Sequence, residues 1–329
     1  MKTYMILGGN GVFGVHNALY FLENANPRKV ICVGRNPEKP EAYSLDVGRN
    51  DPRYSYHQIH VVFEQDRLFE LCDREKPEII VNYSALAHAT SWTKSWRYYD
   101  TNVTALARMT EELSKRDYLK RWIQIGTSEL YGSVNQPATE DAPLRPSSPY
   151  AVSKLAGDLH LMTLINVLKF PMNIIRPSNC YGPGQQLHRV LPRAVLCGLT
   201  GQKLPLHGGG AVRKSFMHAR DLAKAVYLIG EKAPLGKVYN AGPENSTPIR
   251  DIVAKAAQAM NLSMEDLCEI TPERPGEDSN YWLDSSEIRK DLGWEPTITL
   301  EEGAQEMVVW GKKHLDFLKR ESTEFVLRA

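Results

Sequence analysis

In the stretch "SSPYAVSKL", Tyr150 and Lys154 stand four residues apart. Ser148 can cap a helix and Pro149 suits its first turn, so the phenol and the ammonium would share one helical face. A phenol titrates at ~10 and is a poor base at neutral pH, but a neighbouring ammonium stabilises the phenolate and lowers that value. Such a pair can take a proton from an alcohol while two electrons leave for a nicotinamide. Upstream, "IGTSELYG" sets Thr127, Ser128 and Glu129 between the apolar run "RWIQ" and an aromatic. Glu129 could be a solvated loop acid. Beside Tyr150 and Lys154 it could instead be a general base.

A third group lies near the start. "GGNGVFG" holds Gly8, Gly11 and Gly14 at three-residue intervals between a strand and a helix. Glycines there permit a tight turn and close backbone approach, and the helix N-terminus then faces a pyrophosphate. Gly8, Asn10, Gly11, Val12, Phe13 and Gly14 are the cofactor candidates of this turn. An NAD site calls for an acid at the end of the second strand. This strand ends "VGRNPEK", which offers Arg35 and Asn36 instead. A guanidinium pairs bidentately with phosphate, so the reading favours NADP, with NAD as the alternative.

The surrounding pattern supplies elements to position these groups. "TYMILGG", "KVICVGR", "EIIVNYSA" and "RWIQIGT" read as strands. "VHNALYFLENA", "LFELCDREKP" and "DTNVTALARMTEELSKR" read as helices between them. Short apolar strands alternating with helices predict an α/β chain with a doubly wound, parallel Rossmann sheet. After about Arg176 the chain becomes rich in loops, as in "RPSNCYGPGQQLHR" and "NAGPENSTP", which predicts a smaller α/β substrate domain. The expected division assigns 1–175 and 213–240 to the cofactor domain, and 176–212 and 241–329 to the substrate domain.

Composition narrows the classes. The chain has 329 residues, 42% hydrophobic and 24% charged, with a net charge of +1. Nothing in that balance favours a nucleic-acid or membrane-surface partner. No apolar run approaches the ~20 residues needed to cross a bilayer, and no signal-peptide pattern is seen, so a cytoplasmic protein is expected. Cys32, Cys72, Cys180, Cys197 and Cys268 are scattered and read as buried thiols. Neither the cysteines nor the histidines show metal-site spacing, so no metal is expected.

These motifs together resemble the extended short-chain dehydrogenase/reductase family, in its nucleotide-sugar branch. The resemblance spans "GGNGVFG", "TNV" at Thr101 to Val103, "TSELYG", "YAVSK", "RPSNCYGPG", "RKSFMHARDLAKA" and "DLGWEPTITLEEGAQEMVVW". Within the branch the chain looks most like the sugar-nucleotide 4,6-dehydratases of the GDP-mannose and dTDP-glucose type. The resemblance implies that Thr127 bonds the sugar 4-OH, that Tyr150 and Lys154 serve C4 oxidation, and that Glu129 takes the C5 proton. Ser128 stands where other members keep an Asp, so Glu129 would also protonate the departing hydroxyl. Many dehydratases read Ala-Ala-Glu-Ser-His after the fourth strand. Here the run is "SALAH", which places Ser84 and Ala85 at the cofactor and His88 at the substrate. By resemblance Asn179, Arg189, Arg213 and Arg274 hold the nucleotide sugar, while Val61 replaces a common Asp beside the adenine. Asn280 sits where relatives often have an Arg. Trp92 and Trp96 are read as packing residues near the cleft wall. In relatives the helices matching "DTNVTALARMTEELSK" and "SPYAVSKLAGDLHLMTLINVL" pair across a two-fold axis, so a homodimer or homotetramer is expected.

The leading expectation is therefore an NADP-dependent nucleotide-sugar 4,6-dehydratase. The rivals are a nucleotide-uronic acid decarboxylase, a C4 epimerase or reductase of the same family, and a non-catalytic NADP-binding protein.

Overall fold

The computed structural model describes residues 1–87, 94–273 and 280–324. Seven parallel strands form the main sheet: β1 (Thr3–Leu7), β2 (Lys29–Gly34), β3 (Tyr54–Gln58), β4 (Ile79–Asn82), β5 (Arg121–Ile125), β6 (Met172–Pro177) and β7 (Val238–Ala241). Their order across the sheet is β7-β6-β5-β4-β1-β2-β3. The winding reverses between β1 and β4, and that reversal opens a crevice at the strands' carboxyl ends. The expected doubly wound Rossmann sheet is present.

The longer helices are α1 (Val12–Asn24), α2 (Gln65–Glu75), α3 (Leu106–Leu113), α4 (Pro149–Leu168), α5 (Val190–Thr200), α6 (Ala219–Lys232), α7 (Ile249–Ala259) and α8 (Leu300–Lys313). Two cores flank the sheet. Tyr4 and Ile6 face one side, with Val15 and Phe21 of α1 and Leu222 and Val226 of α6. Met5 and Leu7 face the other, with Leu68 of α2, Leu106 and Met109 of α3 and Leu161 of α4. Burial on both faces is why β1 and β6 are buried along their whole length and read as unbroken apolar runs. β3, "YSYHQ", is an edge strand with a half-exposed, polar sequence, and no apolar run announces it.

The smaller α/β part packs α5, α7 and α8 around Leu191, Val195, Ile252, Met307 and Trp310. Its strands are short: Leu204–His207 pairs with Cys268–Thr271, and Arg213–Lys214 lies between Thr247–Pro248 and Asn280–Tyr281. Trp310 Nε1 donates to the Ala42 carbonyl at 2.7 Å and fastens this part to the segment after β2.

Three local expectations need correction. The helix before β5 does not run regularly, because Asp100–Ala105 forms a π-turn before α3 begins. Trp96 does not pack inside; it is 61% exposed at the start of a four-residue helix, Trp96–Tyr99. Cys32, Cys72 and Cys197 are buried, but Cys180 and Cys268 are only partly so.

Candidate active site

α4 begins as its sequence requires. Ser148 Oγ accepts from Ala151 N at 3.1 Å, with Pro149 in the first turn. This sets Tyr150 and Lys154 on the helix face turned to the end of β5. The Tyr98 ring meets the Tyr150 ring edge-on, 6.2 Å between centroids, and limits its swing. Thr127 follows β5 and opens a short 3₁₀ turn, Ser128–Tyr131. Its Oγ1 accepts from Glu129 N at 3.3 Å, and its hydroxyl is hydrogen-bonded to the Tyr150 phenol. Thr127, Glu129, Tyr150 and Lys154 thus converge where β5, the turn after it and α4 meet. Ser128 is also in this turn and, like Thr127, is buried.

The electrostatics differ from the sequence expectation in one respect. Tyr150 is held above the ordinary phenol range, first by burial and then by the nearby Glu129 carboxylate; Thr127 and Arg189 oppose the shift. The Lys154 ammonium is turned away, donating to the Ile125 carbonyl. Burial lowers its pKa to about 8, against the pull of Asp158. In this arrangement the lysine holds a strand end and does not dominate the phenol.

The glycine turn fits a dinucleotide. Gly8 has φ +78°, and a Cβ there would lie 2.9 Å from Ser84 N. Only glycine permits both that angle and that approach. α1 starts at Gly11 without a side-chain cap, which leaves its first N–H groups for an anion, with Val12 and Phe13 in the first turn. Ser84 and Ala85 follow β4 directly opposite this turn. The Asn10 side chain is spent on structure: Nδ2 donates to the Pro37 carbonyl at 2.7 Å and to Tyr56 Oη at 3.3 Å. Tyr56 Oη donates to the Asn36 carbonyl. The segment bearing Arg35 and Asn36 is thereby drawn to the rim of the glycine turn.

The remaining candidates are spread along the cleft. Arg189 caps α5 and lies near enough to influence Tyr150. Asn179 Oδ1 is buried and accepts no hydrogen bond among the described residues, an orphan acceptor that a ligand donor would satisfy. Arg213 is exposed, with Nε donating to Ser246 Oγ at 3.2 Å. His88 and Arg274 lie outside the described residues.

Comparisons of the whole chain place it in a known group. A family model described as GDP-mannose 4,6 dehydratase matches residues 5–307. The chain belongs to that family. It lies in the nucleotide-sugar 4,6-dehydratase branch of the extended short-chain dehydrogenase/reductase family, as the motifs implied. It is 28% identical to a dTDP-glucose 4,6-dehydratase of Neisseria gonorrhoeae, over 94% of this chain and 95% of the relative. It is 24% identical to a trifunctional UDP-glucose 4,6-dehydratase/3,5-epimerase/reductase of Arabidopsis thaliana, covering 94% of this chain but spanning only 47% of that longer relative. The crystal structure of a dTDP-glucose 4,6-dehydratase from Bacillus anthracis, in complex with NAD, aligns with TM-score 0.87 and 27% identity, covering 97% and 99% of the two chains.

For a member of this dehydratase family, several residues behind the site carry more structure than their sequence positions announced. Asn102, in the π-turn, accepts from Leu86 N at 3.0 Å and donates to Leu86 O at 3.1 Å and to Ser153 Oγ at 2.9 Å. Ser153 Oγ in turn donates to the Tyr150 carbonyl at 2.7 Å. Gly157 lets α4 approach, since a Cβ there would lie 2.8 Å from the Asn102 carbonyl oxygen. Asp158 and Arg176 form a buried ion pair at 3.1 Å, and Arg176 Nη1 also donates to Tyr131 Oη at 2.9 Å. Asn102 is visible in the sequence only as the centre of "TNV". Asp158 is visible only as an acid one turn past Lys154.

Proposed function

We propose that this chain is an NADP-dependent nucleotide-sugar 4,6-dehydratase, a lyase that forms a nucleoside-diphosphate 4-keto-6-deoxy sugar. The observation that carries the reading is the convergence of Thr127, Glu129 and Tyr150, joined by the Thr127–Tyr150 hydrogen bond. A carboxylate beside the phenol is what a dehydratase needs beyond a simple oxidation. The family match and the dTDP-glucose dehydratases among its relatives support it.

In this reading residues 1–175 and 213–240 hold the dinucleotide, and 176–212 and 241–329 hold the nucleotide sugar. The glycine turn, the start of α1, Ser84 and Ala85 take the cofactor's backbone, and Arg35 with Asn36 takes its ribose end. Arg189, Arg213 and Asn179 are assigned to the nucleotide sugar; His88 and Arg274, which lie outside the described residues, carry the same assignment from sequence. When bound, the dinucleotide would supply the two-electron acceptor for C4 and the donor for C6. Burial and Glu129 oppose the phenolate, so Tyr150 takes the proton of the 4-OH with the charges of Lys154 and of the bound nicotinamide offsetting them, and Thr127 orients that hydroxyl. The resulting C4 carbonyl acidifies the C5 hydrogen. Glu129 takes the C5 proton and delivers it to the C6 hydroxyl, which leaves as water. Ser128 lines the same turn and is a poor proton donor, so the transfer to the leaving hydroxyl falls to Glu129. The proton that Tyr150 took from the 4-OH passes to solvent and one from solvent returns to C5, so the net change is the loss of one water. A positioned carboxylate contributes roughly a hundredfold to ten-thousandfold to such a step.

The second reading, decarboxylation of a nucleotide-uronic acid, needs a cation at the sugar's C6 end, and the proximity of Arg189 to Tyr150 favours it. Product mass separates the two. Purified protein incubated with GDP-, dTDP-, UDP- and CDP-sugars is expected to give a product lighter by one water. Loss of carbon dioxide from a uronic acid instead would replace the dehydratase reading. For the cofactor, Arg35→Ala is expected to weaken NADP binding by about 1.5–3 kcal/mol while leaving NAD binding nearly unchanged. Equal losses for both in calorimetry would remove the phosphate role.

A further inference from the structure

We propose that His60 is a second phosphate-binding group beside Arg35, and that the two together select a dinucleotide carrying a 2′-phosphomonoester. The inference rests on the NADP reading above and extends it to a residue that no sequence motif marked.

The placement follows from strand register. β2 and β3 run parallel with Gly34 opposite Gln58. Ile59 N donates to the Gly34 carbonyl at 3.0 Å, and Gln58 Nε2 donates to the Arg35 carbonyl at 3.1 Å. His60 lies two residues past the end of β3, close enough to Arg35 to feel its charge. Its ring is fixed in two ways. Val62 N donates to Nδ1 at 3.2 Å, and the Phe63 ring packs against it at 4.6 Å between centroids. With Nδ1 accepting, Nε2 carries the proton and points a donor outward. Phe63 itself is 81% exposed at the rim of the crevice.

The charged groups around His60 come from three elements. Arg35 faces it from the end of β2 and Arg97 from the helix Trp96–Tyr99, while Glu64 lies in its own turn, where Glu64 Oε2 accepts from His60 N at 2.7 Å. Burial and then Arg35 hold the imidazole below the ordinary histidine range, with Glu64 opposing and Arg97 adding to the effect. A cluster of two guanidiniums and an imidazole repels its own third charge. A phosphomonoester brings about −1.5 to −2 charge and three acceptor oxygens, and would reverse that balance. Binding a 2′-phosphate should then draw a proton onto His60. A dinucleotide without that phosphate should not.

The test is calorimetric and needs no turnover. NADP and NAD are titrated into the full-length protein near pH 7 in two buffers of different ionisation enthalpy, which gives the protons exchanged on binding. Wild type is expected to take up a fraction of a proton with NADP and none with NAD. His60→Gln should lose that uptake and lower the NADP-over-NAD affinity ratio by about tenfold. His60→Lys should keep the ratio but show no uptake, because its charge is already present. The phosphate's own titration works in the opposite direction, releasing protons on binding, and is common to all three proteins. An unchanged ratio and unchanged uptake in His60→Gln overturn the proposal and leave the NADP reading standing. Equal affinity of wild type for NADP and NAD overturns the NADP reading itself, and His60's role with it.

Discussion

The Arg176 guanidinium lies 3.1 Å from Asp158 Oδ2, and both side chains are sealed from solvent directly behind the turn that carries Glu129. The pair joins β6 to α4, and through Tyr131 it reaches the turn itself. Removing one partner of a buried pair leaves an uncompensated charge. Arg176→Leu is therefore expected to cost about 3–5 kcal/mol in urea unfolding, and the double variant Arg176→Leu/Asp158→Leu should recover much of that loss. A single variant within 1 kcal/mol of wild type would show that the pair is not holding the fold.

The same acid bears on catalysis through Lys154. Burial brings the lysine to about 8, and Asp158 holds it up against that effect. A lowered lysine keeps its charge below that pH and loses it above. The log kcat/KM profile is therefore expected to fall on the alkaline side with a midpoint near 8. In Asp158→Asn the support for the ammonium is gone, so the limb should move to lower pH. A limb that stays in place, or moves upward, would break the link between the two residues.

Glu129 and Tyr150 should fail at different steps. Tyr150→Phe removes the base for C4 oxidation, and no reduced cofactor should form with the correct nucleotide sugar. Glu129→Gln keeps the shape but not the base for C5. It should show the near-ultraviolet absorbance of reduced nicotinamide, release almost no product and leave the C5 hydrogen unexchanged in deuterated solvent. Near wild-type elimination by Glu129→Gln would reverse this division of labour.

Along α4, Val152 and Leu159 lie on an outward face with Val167, which is 79% exposed. Aliphatic side chains at that spacing on a long helix are expected to meet a second copy of the chain. Light scattering at micromolar concentration should give at least twice the monomer mass, and Leu159→Glu should shift it toward the monomer. A monomeric wild type would leave this face without a partner.

How much of this could be read from the sequence depended on whether the signal was local. β1, β2, β4 and β5 were legible because covering both faces of the sheet leaves unbroken apolar runs. β3 was not, because as an edge strand it carries tyrosines, a serine and a histidine with no such run. Tyr150 and Lys154 share one helix and Glu129 one short turn, so each was visible locally, and the resemblance of the surrounding motifs suggested their roles. Asn102 and Ser153 are 51 positions apart, and Asp158 and Arg176 are 18 apart and on different elements. Their meeting is a product of topology, and no window along the chain contains it. The direction of the Lys154 side chain was hidden for the same reason, since its acceptor is the carbonyl of Ile125, a residue on another element.

Tyr131 Oη also donates to Asn240 Oδ1 at 2.9 Å, while Asn240 Nδ2 donates to the Ala138 carbonyl at 2.9 Å and Asn240 N to Glu140 Oε1 at 2.7 Å. Asn240 belongs to β7, so the loop bearing Glu129 is tied down by a strand that leaves the ribosome more than a hundred residues later. During synthesis the first six strands can pair while that loop still lacks its anchor. The turn that carries Glu129 thus gains its last ties only when β7 joins the sheet as its far edge strand.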